Sequence, residues 1–214
     1  MRPIVRDALG VGVAVGALGL SFGALAVASG LSVPQACALS LLMFTGASQF
    51  AFVGLIDGGV AAAVATALAL GARNALYGLR LAPHLSPRPL AAHFVIDESA
   101  AMSVRDTPDD IRLGFWSTGL AVFGFWNLAT LIGALAGNAI SDPNAFGLDA
   151  AAPAAFLALL APRLKDREPQ AIALLAAATA LVSAPFVPAG TPVLAAAVVA
   201  TTAALLPRRE PVPA

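Results

Sequence analysis

The residues best suited to chemistry stand where the chain is otherwise apolar. Arg73 and Asn74 lie well inside the apolar stretch 60–82, and Tyr77 falls one helical turn beyond Arg73. An arginine near the centre of a bilayer costs about 2.5–3.5 kcal/mol on insertion scales. It therefore requires a counter-anion or a water-filled cavity. A structural ion pair with a carboxylate of this chain satisfies that need; so does a site that binds the carboxylate of a substrate. The acids available are Asp97 and Glu98, flanked by apolar residues on both sides, and Asp149. A carboxylate in such a place can hold an ammonium group or carry a coupled proton. The plainer alternatives are an interfacial turn for Asp97 and Glu98, and an N-terminal helix cap for Asp149. Thr45, Ser48 and Gln49 interrupt a second apolar run. Gln49 facing lipid would be costly, so it is expected to face protein, as an interhelical hydrogen bond or as a ligand contact. This is the chemistry of binding a small polar solute.

Covalent chemistry finds no comparable support. The sequence has no His-Glu-x-x-His, no Gly-x-Ser-x-Gly and a single cysteine, Cys37, which is read as a packing residue. The aspartates at 106, 109 and 110 are split by Pro108 and have no second Asp-rich partner motif, so they read as a solvated loop and not a metal site. No basic stripe suggests nucleic acid. The expectation is a protein that is no enzyme and carries no cofactor or metal.

The elements that must hold these residues are membrane helices. Of the 214 residues, 59% are hydrophobic and 11% charged, whereas soluble domains carry about 25% charged residues. Apolar runs predict spans at 8–28, 36–56, 60–82, 113–136, 148–160, 170–187 and 191–206. The first is too long for the apolar core of a signal peptide, about 7–15 residues. The shorter ones are marginal for a hydrocarbon core of about 30 Å. The fold expected is all-α: a single polytopic domain, 1–214, of about seven transmembrane helices, with an additional polar, surface or re-entrant segment at 90–104. If that segment does not cross, the N-terminus lies outside; if it does, the N-terminus lies inside. Both arrangements keep 163–167 and the C-terminus with the cytoplasmic Lys/Arg.

Glycine pairs such as Gly12/Gly16, Gly19/Gly23 and Gly133/Gly137 let helix backbones approach closely. Gly19–Gly23 is also the best candidate for a helix unwound beside a substrate, because Ser21 and Phe22 lie between the two glycines.

Several of these residues follow one another in a recognisable order: Gly19-Leu20-Ser21-Phe22-Gly23 with Gly30-Leu31, Phe44-Thr45-Gly46-Ala47-Ser48-Gln49-Phe50, Arg73-Asn74 with Leu81-Ala82-Pro83, Asp97-Glu98-Ser99, and Gly147-Leu148-Asp149. Together they resemble the AzlC family, the larger subunit of bacterial branched-chain amino acid exporters. The resemblance covers nearly the whole chain. It implies export of leucine, isoleucine, valine and methionine across the cytoplasmic membrane, proton coupling, and a small membrane subunit of the AzlD type. Two positions depart from the family pattern: Ala150 stands where phenylalanine is usual, and Asn74 where histidine is expected after arginine. On this reading Ser21, Phe22, Gly23, Ser48, Gln49, Phe50, Arg73, Asn74 and Asp149 bind substrate, and Asp97 and Glu98 carry the proton. The alternatives are transport of another small amino acid or an ion, or a non-catalytic assembly subunit; a buried Arg73 argues against the last.

Overall fold

The computed structural model describes residues 3–139, 154, 157, 160, 161, 164–187 and 191–205. Among these, every regular element is helical. Helices α1 (Pro3–Gly16) and α2 (Leu18–Ala28) follow one another with only Ala17 between them. A tight turn then ends α2. Gly30, at φ 86°, donates to the Val27 carbonyl, and Leu31 donates to that of Ala26, so two carbonyls at the helix end are satisfied. Ser32 and Gln35 cap the start of α3 (Val33–Met43) reciprocally: the Ser32 N–H donates to Gln35 Oε1 at 2.8 Å, and the Gln35 N–H donates to Ser32 Oγ at 3.4 Å.

The apolar run 36–56 is not the single span its composition predicts. It breaks at 44–46 into α3 and α4 (Ala47–Leu55). Gly46 stands at φ 51°, ψ −84°, a conformation that a side chain would strain. A turn of 3-10 helix, Ile56–Gly58, leads into α5 (Val60–Leu81). The polar stretch 90–104 holds two short helices, α6 (Arg88–His93) and α7 (Asp97–Met102), broken at 94–96. Helix α8 (Pro108–Ala139) follows. Its first turn is capped by Thr107, whose Oγ1 accepts the Asp110 N–H. Helices α9 (Arg167–Ser183) and α10 (Thr191–Leu205) pack on each other.

Contacts along α8 fix the direction of each element. Gly12 meets Ala121, Gly23 meets Thr130 and Gly137 meets Ala24, so α1–α2 and α8 run parallel. In α3, Ser40 Oγ donates to Thr130 Oγ1 at 3.2 Å while Phe44 reaches back to Phe123, so α3 runs the other way. Helix α4 returns: Phe50 meets Trp126 and Phe22. Helix α5 lies against α4 and ends where α8 begins, with Arg112 Nε donating to the His84 carbonyl at 2.9 Å. From there α6 runs inward until His93 meets Phe123. Helix α7 then runs back, so that Met102 lies against Gly114. The pairs α3–α4 and α6–α7 are thus two hairpins inserted from opposite ends of the bundle. Their tips meet where Phe44 packs on His93 and Phe94, with ring centroids 5.9 and 6.1 Å apart.

Three helices are long and apolar enough to cross a membrane: Pro3–Ala28, Val60–Leu81 and Pro108–Ala139. Of the seven expected spans, 8–28, 60–82 and 113–136 fall on these three helices. Helices α9 and α10 have 17 and 15 residues, and most of the candidate span 148–160 lies outside the described residues. Of the two readings of Gly19–Gly23, close helix packing and a helix unwound beside a substrate, the structure shows the first. Helix α2 runs through both glycines, and a Cβ on Gly23 would overlap the Thr130 carbonyl oxygen. These glycines serve backbone contact with α8.

Candidate functional site

The two tips, α5 and α8 enclose a small cleft. Its polar wall comes from three places. Thr45 stands in the first break, Arg73 and Asn74 project from α5, and Asp97 and Glu98 open α7. Its apolar wall includes Val15, Leu18, Phe50, Val122 and Trp126. The cavity volume is about 50 Å³.

Arg73 and Asp97 form a two-point ion pair across this cleft. Nε donates to Oδ1 at 3.0 Å and Nη2 donates to Oδ2 at 2.6 Å. Their side chains are 29% and 32% exposed. The parallel fork is the strongest geometry an arginine and a carboxylate adopt. It satisfies the half-buried arginine by a carboxylate of the same chain and leaves both charges facing open space. Asp97 and Glu98 also line a second, wider cleft of about 450 Å³, bounded by Tyr77, Arg80 and Val104 toward the end where α8 begins. The ion pair thus separates an inner chamber from a vestibule.

Three polar atoms of residues lining the chamber are buried without a hydrogen-bond partner among the described residues: Thr45 Oγ1, Asn74 Oδ1 and Trp126 Nε1. Trp126 is 3% exposed and held by rings: it stacks on Phe22 at 5.9 Å and meets Phe50 edge-on at 6.2 Å.

Of the residues read from sequence, Phe50, Arg73, Asn74, Asp97 and Glu98 line the chamber together. Phe22 backs it through Trp126. Ser21 is half-buried on α2, and Gly23 packs on α8; neither lines the chamber. Ser48 is buried and faces a third cleft, of about 420 Å³, lined by α5 and the tips of both hairpins and shared with Thr45 and Asn74. Gln49 is fully buried. Its Oε1 accepts the Gly46 N–H at 2.9 Å and its Nε2 donates to the Leu39 carbonyl at 3.5 Å, so it secures the first break. Asp149 lies outside the described residues. Sequence reasoning passed over Trp126 as a site residue. The available signal was its position deep in a long apolar helix, since membrane tryptophans usually favour the interfaces. No group of three His, Cys, Asp or Glu among the described residues is placed to hold a metal ion.

An uncharacterized membrane protein of Archaeoglobus fulgidus is 33% identical over 160 residues, covering 71% of this chain and 70% of the relative. No solved structure matches. The family described as AzlC protein matches residues 10–140, the part that carries both hairpins and the cleft between them. The chain is a membrane protein and belongs to the AzlC family.

Proposed function

We propose that this protein is a secondary transporter that exports branched-chain amino acids, and that it performs no covalent chemistry. The observation that carries the reading is the Arg73–Asp97 fork facing a chamber where two inserted hairpins meet. Interrupted helices with tips inside the bundle give transporters polar backbone and side chains at membrane depth without exposing them to lipid. In this reading the carboxylate of leucine, isoleucine, valine or methionine competes with Asp97 for Arg73. Asp97, with Glu98 beside it, takes the coupled proton as the arginine is released. A small membrane subunit of the AzlD type completes the exporter.

The ends of the bundle support an orientation. Arg6, Arg80, Arg88, Arg105 and Arg112 lie at the end where α8 begins, whereas the described turns 29–32 and 56–59 at the other end carry Asp57 and no lysine or arginine. By the positive-inside rule the arginine-rich end, with the N-terminus, faces the cytoplasm. Arg208 and Arg209 support a cytoplasmic C-terminus by the same rule, in the inner membrane of a bacterial cell.

The test is counterflow of a panel of labelled amino acids in proteoliposomes, with and without the co-expressed small subunit. We expect exchange of branched-chain amino acids that an imposed proton gradient accelerates. Arg73→Ala and Asp97→Asn should each lower it at least about 100-fold. Wild-type rates in both variants would remove the assignment of the site, and exchange of no amino acid would remove the function.

A further inference from the structure

The unmet hydrogen bonds of the chamber carry more information than its charges. Trp126 Nε1 can only donate, Asn74 Oδ1 can only accept, and the Thr45 hydroxyl can do either. A chamber built for an anion alone would offer unmet donors, and one built for a cation alone unmet acceptors. The three residues that carry both kinds line one space, beside an arginine and a pair of carboxylates; Thr45 and Asn74 also line the third cleft. Its volume of about 50 Å³ is room for about three to five waters, the size of an α-amino-acid head group and not of its hydrocarbon tail. The indole packs on Phe22 and Phe50, which also touch each other, so the ring is fixed before any ligand arrives.

We infer that Thr45, Asn74 and Trp126 form a head-group site for a zwitterion. The Trp126 N–H and the Thr45 hydroxyl donate to the carboxylate, while Asn74 Oδ1 accepts from the ammonium. The inference rests on the transport reading and deepens it. It makes selection against simple amines and simple acids a property of these three neutral residues. A buried group built to hydrogen-bond rejects the analogue that leaves it unpaired far more strongly than an apolar wall rejects a missing methylene.

The experiment compares L-leucine with two probes that share its tail, 3-methylbutylamine and 4-methylpentanoate, as competitors of labelled leucine counterflow. The wild-type protein should prefer leucine over both by at least about 100-fold. Trp126→Phe keeps the ring stack and Thr45→Val keeps the shape. Each should raise the apparent KM for leucine about 5- to 20-fold, by the same factor for isoleucine and valine, with unchanged melting in detergent. Asn74→Leu should erode the preference over the acid most. Leucine exchange with wild-type KM in all three variants, or amine and acid competing as well as leucine, would overturn the head-group site and leave the transporter standing. Absence of any amino-acid exchange by the wild-type pair would overturn both.

Discussion

The two hairpins face the same physical problem and solve it alike, yet they present different chemistry. Each break frees a backbone N–H inside the bundle, where an unmet donor costs several kcal/mol. In each, a side chain three residues further on takes it: Gln49 Oε1 accepts from Gly46 at 2.9 Å, and Ser99 Oγ accepts from Ile96 at 3.1 Å. Ser99 does a second task, donating to the Phe94 carbonyl at 2.6 Å. The bends themselves differ. The first depends on Gly46 at φ 51°, ψ −84°, whereas the second turns through Ile96 in ordinary extended backbone at φ −127°, ψ 168°. The first tip brings a neutral hydroxyl to the chamber and the second brings two carboxylates, one of them held by Arg73 of α5. The first hairpin is thus fixed by its own backbone. The second is positioned in part by an ion pair that transport is proposed to break.

The contrast can be broken at the bends. Gly46→Val forces a β-branched side chain into a conformation closed to it. It should cost on the order of 3 kcal/mol, read as a large fall in melting temperature in detergent and loss of transport. Ile96→Val, at the corresponding place in the second hairpin, removes one buried methylene. It should cost only about 0.5–1.5 kcal/mol, with transport retained. Equal losses would mean that the second bend is as demanding as the first.

The caps sharpen the contrast by a smaller amount. Gln49→Leu leaves the Gly46 N–H unmet, and Ser99→Ala leaves both the Ile96 N–H and the Phe94 carbonyl with one partner fewer. Each should lower stability by about 1–3 kcal/mol, Ser99→Ala by the larger share because its second bond, to the Phe94 carbonyl at 2.6 Å, is shorter than that of Gln49 to the Leu39 carbonyl at 3.5 Å. Thermal unfolding followed by circular dichroism in the same detergent checks this. Gln49→Glu keeps an acceptor at the same reach but buries a carboxylate against the Leu39 carbonyl, and should not recover the loss.

These caps also explain what could be read in the sequence. The rods α1–α2, α5 and α8 were legible because long apolar composition admits little else. The order Thr45, Gln49, Arg73, Asp97 marked the site for the same reason: each is expensive at depth. The reversal of direction at 44–46 was hidden. Composition registers that 36–56 is apolar, but a hairpin inserted into a bundle and a straight span are equally apolar. The difference lies in one glycine at positive φ and one amide reaching back three residues, both of which look like ordinary packing in a linear reading. Trp126 was hidden because its role comes from the unmet N–H of a clamped ring, which needs the neighbours Phe22 and Phe50 from other helices. At Gln49 the sequence left an interhelical hydrogen bond or a ligand contact open, and the structure shows the amide bonded to Leu39 of α3 and to the Gly46 N–H.

The gentlest test leaves function intact and asks only where each hairpin enters. Cys37 is the single cysteine, so Cys37→Ser gives a background for placing one thiol at a time. Ser29, Asp57 and Asp106 lie before the first hairpin, after it and after the second, and both aspartates are exposed. If neither hairpin crosses, Ser29→Cys and Asp57→Cys share the face opposite the arginine-rich end, and Asp106→Cys lies at that end. An impermeant maleimide added to intact cells should then label the first two and reach the third only after permeabilisation. If both hairpins crossed instead, Asp57→Cys and Asp106→Cys would share one face and Ser29→Cys the other. If only the first crossed, Ser29→Cys and Asp57→Cys would separate. The three patterns are mutually exclusive, and only the first keeps α1–α2 parallel to α8 with two hairpin tips meeting between them.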